Sequence, residues 1–156
     1  MKTEIKNNQY DVFISYAQTD SEWARSLAEV LSIRGVRVFS GFSEASFHPG
    51  EAYRRRFQKM LQDSEYVVVV VSESSANSAW VAFVVGAALS LGKEVVPVVS
   101  KEVPREDLSG PIRVRQALEK SEPETVAQQL LTMFSKEKAQ RRRADGVHDE
   151  QTHRAG

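Results

Sequence analysis

Short apolar runs separated by amphipathic stretches make up most of this chain. Val12, Phe13, Ile14 and Tyr16 sit in the run Tyr10 to Tyr16, the pattern of a strand buried on both faces. Thr19-Asp20-Ser21-Glu22 follows, with N-cap candidates and acids for a first helical turn. Trp23, Leu27, Val30 and Leu31 recur at helical spacing, so residues 20–33 read as an amphipathic helix that Gly35 can close. Val36 to Phe39 is a second strand. Residues 40–50 are a long loop bearing glycine and serine, of the kind that often carries function. A helix over 51–63 turns Tyr53, Phe57, Met60 and Leu61 inward and Arg54, Arg55 and Lys59 mostly outward.

Tyr66 to Val71 is the strongest strand, since an unbroken valine run implies the centre of a parallel sheet. Ser72 to Ser78 is a polar loop, with Ser78 placed to cap the next helix. Trp80 to Leu91 is apolar nearly all round and predicts a buried helix ended by Gly92. Val95 to Val99 is a fourth strand whose Pro97 suits an edge or a bulge. Ile112-Arg113-Val114, after a charged loop over 100–111, predicts a short fifth strand. Pro123 opens a last helix with an apolar stripe of Val126, Leu130, Leu131 and Phe134. Beyond Phe134 the pattern stops. Residues 135–156 are expected to be disordered or a frayed helical extension, and residues 1–8 a loose N-terminus. One α/β domain over 9–134 is therefore expected. Strands alternating with helices predict a three-layer sandwich around a five-stranded parallel sheet in the flavodoxin-like order 2-1-3-4-5. Ligands of such sheets bind beyond the carboxyl ends of the strands.

Composition narrows the function classes. The chain has 156 residues, 41% of them apolar, and a formal net charge of zero, so charge makes no case for nucleic acid or an anionic membrane as partner. The absence of cysteine excludes disulfides, thiolate metal sites and cysteine nucleophiles. No apolar leader opens the chain, and the longest apolar stretch, Ala79 to Leu89, is too short to span a bilayer. A cytoplasmic location is the expectation, with no metal and no resident cofactor. Gly92-Lys93 lacks the partners of a phosphate loop and reads as a helix end.

The run Tyr10-Asp11-Val12-Phe13-Ile14-Ser15-Tyr16, with a polar turn and Asp20, resembles the first box of Toll/interleukin-1 receptor (TIR) domains. Further pieces agree in order: Arg34 to Phe39 with their second strand, Pro49-Gly50 with the end of their following loop, and Ser78-Ala79-Trp80-Val81 with the start of their buried helix. Gly86-Ala87-Ala88 and Leu91 to Val98 are similar to prokaryotic members. The resemblance implies signalling by TIR–TIR assembly, with self or another TIR domain, in defence or stress. In many members it also implies cleavage of NAD+ at the nicotinamide–ribose bond, giving ADP-ribose or cyclic isomers. It places a nucleotide-binding rim at Tyr16, Ala17, Phe39, Trp80 and Val84.

At one rim position the chain departs from the enzymatic members, which carry a glutamate four residues after the helix-opening tryptophan. Counting from Trp80 gives Val84, and no acid lies between Glu73 and Glu94. Valine supplies no charge to steady the departing nicotinamide, and losing such a group costs orders of magnitude in rate. NAD+ cleavage is therefore expected to be weak or absent, with NAD+ kept as a possible ligand or substrate. Glu73, at the end of the third strand, and Glu44, in the long loop, are candidate substitutes; Glu94 is at the wrong end of the helix. Phe42, Phe47, Pro49 and Gly50 form a candidate interaction loop whose aromatics either tuck onto the domain or anchor a partner. His48 reads as an ordinary loop residue and Arg54-Arg55-Arg56 as a solvated face. Trp80 fits a core role and a pocket wall equally.

Overall fold

A computed structural model describes residues 8–41, 50–113 and 115–153, with side chains through residue 145. The elements run β1 (Tyr10–Ser15), α1 (Ser21–Ile33), β2 (Val38–Phe39), α2 (Glu51–Gln62), β3 (Ser64–Val71), α3 (Ala79–Ser90), β4 (Glu94–Val99), α4 (Gly110–Arg113), β5 (Leu118–Glu119) and α5 (Pro123–His153). The five strands form one parallel sheet in the order β2-β1-β3-β4-β5, as the strand–helix alternation predicts.

The pleat divides the core in two. Phe13, Val67, Val69 and Val71 face α2 and α3, where they meet Phe57, Leu61, Trp80, Val81, Val84 and Val85. Val12, Ile14, Tyr66, Val68 and Val70 face α1 and α5, against Leu27, Leu31, Val126 and Leu130. The valine run is fully buried because both of its faces are covered. Tyr66 also stacks on Phe134, with ring centroids 4.0 Å apart, which pins α5 to the sheet. With α1 on one face and α2 on the other, the chain changes direction between β1 and β3. A parallel sheet opens a crevice at that point, beyond its carboxyl edge.

Helix ends follow local chemistry. Gly35 (φ 86°) and Gly92 (φ 70°) close α1 and α3. In both, the glycine N–H and the next one (Val36, Lys93) donate back to carbonyls of the last turn at 3.0–3.1 Å. Ser78 caps α3, its hydroxyl accepting from the Trp80 N–H at 3.1 Å. Pro97 lies in β4 where β5 does not reach, since β5 pairs only with Val98 and Val99; a missing donor costs nothing there.

The fifth strand differs from the expectation. Ile112 and Arg113 belong to α4, with Pro111 in its first turn and Ile112 buried against α3's side of the sheet; Val114 lies outside the described residues. The strand that pairs with β4 is Leu118–Glu119, too short to show a strand pattern. Polar residues after Phe134 continue α5 as helix to His153, and Arg141 pairs with Glu65 at 2.8 Å. Among the described residues no helix is long and apolar enough to cross a membrane, and no group of three His, Asp or Glu is placed to hold a metal.

Candidate functional site

The crevice at the sheet's carboxyl edge is an open depression of about 580 Å³. Three loops build it: Thr19 and Asp20 after β1, Ser72, Glu73 and Ser74 after β3, and Ser100 and Glu102 after β4. Cross-links hold the loops together. Thr19 and Ser74 share a hydroxyl–hydroxyl bond of 2.9 Å, and the Ser100 N–H donates to the Val71 carbonyl at 2.9 Å. Buried Ser75 accepts from the Ser72 N–H at 2.9 Å, which sets the curve carrying Glu73. Hydrogen bonds from the Ser100 hydroxyl and the backbone hold the Glu102 carboxyl below its usual range, so it is an acceptor at neutral pH. Carboxylates interleaved with hydroxyls suit the hydroxyls of a sugar, which donate to the one and exchange bonds with the other.

Asp20 behaves differently from its sequence reading. It stands at the N-cap of α1 but makes no side-chain capping bond. Its carboxylate, 4% exposed, pairs with Lys120 at 3.0 Å. Lys120 also lies over the Trp23 ring, 5.5 Å from its centroid, while the Trp23 indole N–H donates to the Ser121 carbonyl at 2.9 Å. This clamp ties the start of α1 to the chain after β5. Sequence spacing gives no hint of a partner a hundred residues away.

The expected rim residues are spread over both faces of the sheet. Tyr16 packs toward the α1 side and donates its hydroxyl to the Ser40 carbonyl at 3.0 Å, while Ala17 is buried just beyond β1. Phe39, Trp80 and Val84 belong to the α2–α3 side. Trp80 is a core residue by its contacts, 5.7 Å from Phe57 and 6.0 Å from Phe83 between ring centroids. Val84 is fully buried among these groups. Neither Trp80 nor Val84 lines the depression that holds Glu73. Ser15, fully buried at the end of β1, has a hydroxyl with no hydrogen-bond partner; one polar residue in a buried strand is the sequence signal that marks it.

In the candidate interaction loop, Phe42, Phe47 and Pro49 lie outside the described residues, as do Glu44 and His48. Gly50 stands at the N-cap of α2. Gly41 has a steric reason, since a Cβ there would come within 2.8 Å of the Phe39 ring. Arg54, Arg55 and Arg56 are exposed, and Arg55 pairs with Glu51 at 2.7 Å.

A model of the TIR domain matches residues 12–131. The chain belongs to the TIR-domain family. Among relatives, this TIR domain is 37% identical over 73 residues to the NAD(+) hydrolase TcpA of Theionarchaea archaeon (strain DG-70-1), covering 46% of this chain and 22% of that protein. It is 36% identical over 73 residues to the 2' cyclic ADP-D-ribose synthase AbTIR of Acinetobacter baumannii (strain 1295743), covering 46% and 26%. The match thus spans about a quarter of each relative's length. Of solved structures, a metazoan TIR-STING receptor from C. gigas superposes with a TM-score of 0.59 at 28% identity, over 72% of this chain and 35% of that one. The TIR domain of the Toll-related receptor TRR-2 from Hydra magnipapillata shares the fold, with a TM-score of 0.56 at 22% identity over 71% and 84%.

Proposed function

We propose that this TIR domain serves intracellular defence or stress signalling by assembling with other TIR domains and recognising an NAD-type nucleotide, without robust cleavage. One observation carries the reading. Val84, four residues after Trp80 where the family resemblance expects the enzymatic members' glutamate, is packed in the core. A buried methyl group neither stabilises positive charge on a departing ribose nor bonds its hydroxyls. TcpA and AbTIR, by their names, act on NAD+ or make a cyclic ADP-ribose, which supports an NAD-type ligand.

A second reading rests on Glu73. It lines the crevice at the carboxyl edge beside ionised Glu102, so a nucleosidase or cyclase using another carboxylate has a place to work. Nicotinamide release from NAD+, followed for the wild type, Glu73→Gln and Val84→Glu, separates the two. The proposal expects no release from the wild type at high protein concentration. Release that Glu73→Gln abolishes would overturn it in favour of the second reading. Light scattering over a concentration series tests assembly, and a strict monomer that binds no other TIR domain would sink that part.

A further inference from the structure

A second depression, of about 280 Å³, lies beside the end of β4 on the β5 side. It is lined by Arg105, Arg113 and Arg115 together with Val99, Leu108, Ile112, Gln116 and Ala117. Three arginines thus line one small hollow, and no acidic residue lines it. Glu106 and Asp107, although next in sequence to Arg105, line a different depression that shares only Leu108 with this one. None of the three arginines belongs to an ion pair among the described residues.

One of the arginines is also held in place. Arg113 donates to the Leu108 carbonyl at 3.3 Å, fixing its fork against the hollow's apolar wall. Arg115 has a buried Nε with no hydrogen-bond partner. A buried charged donor without an acceptor is costly, and like charges gathered without a counter-charge add to the cost. An anion in the hollow would offset the gathered positive charge. Guanidinium forks match the paired oxygens of phosphate, and several forks together match a polyanion better than a single carboxylate. The volume falls at the lower edge of the roughly 300–1,000 Å³ of pockets for drug-sized ligands. It suits a phosphoryl or diphosphate group and not a whole dinucleotide.

We infer that Arg105, Arg113 and Arg115 form an anion site for a phosphate or diphosphate group. The site stands apart from Glu73, Trp80 and Val84, so it does not depend on whether NAD+ is bound or cleaved. Its source is either a free anion or the diphosphate of a nucleotide.

Calorimetry of the full chain with inorganic diphosphate, and in parallel with ADP-ribose, tests it. The expectation is saturable binding that weakens with added salt and falls by about tenfold or more in Arg113→Gln/Arg115→Gln. Arg115→Lys keeps the charge but loses the fork, and is expected to fall part of the way. Arg142→Gln/Arg143→Gln, in the exposed end of α5, should bind as the wild type does. If the double variant fails to fold, exposed Arg105→Gln carries the test, with circular dichroism to verify its fold. Arginine-dependent binding of ADP-ribose alone would identify a nucleotide source, and of diphosphate as well, a free-anion site. No saturable binding of either probe, or an equal loss in the α5 control, would overturn the site.

Discussion

Val84→Glu places a carboxyl at a fully buried position of α3, and its energetic cost measures how far that position lies from a working pocket. The side chain it replaces is fully buried in the core cluster that includes Trp80, Phe57 and the sheet's Val67, Val69 and Val71. A glutamate at a site of that kind titrates near pH 8–9 instead of about 4.3. Between those values the folded state keeps a proton that the unfolded state has lost, so stability falls as pH rises. Each pH unit costs about 1.4 kcal/mol, so moving from pH 5 to 7.5 removes about 3 kcal/mol. The neutral carboxyl, left without a partner, costs a further ~1–3 kcal/mol at any pH. Together these come to about 4–6 kcal/mol, the lower end of the roughly 5–15 kcal/mol of stability expected for a domain. Urea unfolding of the wild type, Val84→Glu and the uncharged Val84→Gln at pH 5 and 7.5 reads both terms. Val84→Gln should pay only the pH-independent one. A Val84→Glu loss below about 1 kcal/mol, flat with pH, would mean that the acid reaches water or a cleft. The burial of Val84 would then no longer argue against catalysis. The same melt qualifies the nicotinamide assay, since an inactive Val84→Glu counts only where the variant is folded.

Two further outcomes follow from the ion pairs. Lys120→Met should destabilise by about 3–5 kcal/mol, because it strands the Asp20 carboxylate in a buried place. Asp20→Asn/Lys120→Met should recover a large part, and a single-variant loss under about 1 kcal/mol would refute the clamp. At Asp11, burial pushes the carboxyl up, but hydrogen bonds from the Arg37 side chain and backbone N–H prevail and hold it below its usual value. Its contribution is present above the unfolded pKa and lost as pH falls through the lower folded one. Arg37→Ala should raise the Asp11 titration midpoint measured by carboxyl NMR, and an unchanged midpoint would refute the pairing.

Much of the architecture was legible because it rests on periodicity and local backbone chemistry. A valine run buried on both sides, glycines at helix ends and a serine before Trp80 each act within a few residues, and each stands where the pattern placed it. The parallel order follows from strand–helix alternation and the handedness of crossovers. The fifth strand was not legible, since Leu118–Glu119 is a strand only because β4 offers it an edge. Asp20 read as a cap and is instead half of an ion pair with a residue far along the chain. The arginines of the β4–β5 hollow are unremarkable in sequence, and only the fold puts them around one space.

Val84 shows the division most clearly. The sequence alone determined that no acid lies between Glu73 and Glu94, because residue identity is a property of the chain. Only the tertiary structure decided that this position lies in the core and Glu73 on an open rim, because burial depends on which helix covers which face of the sheet.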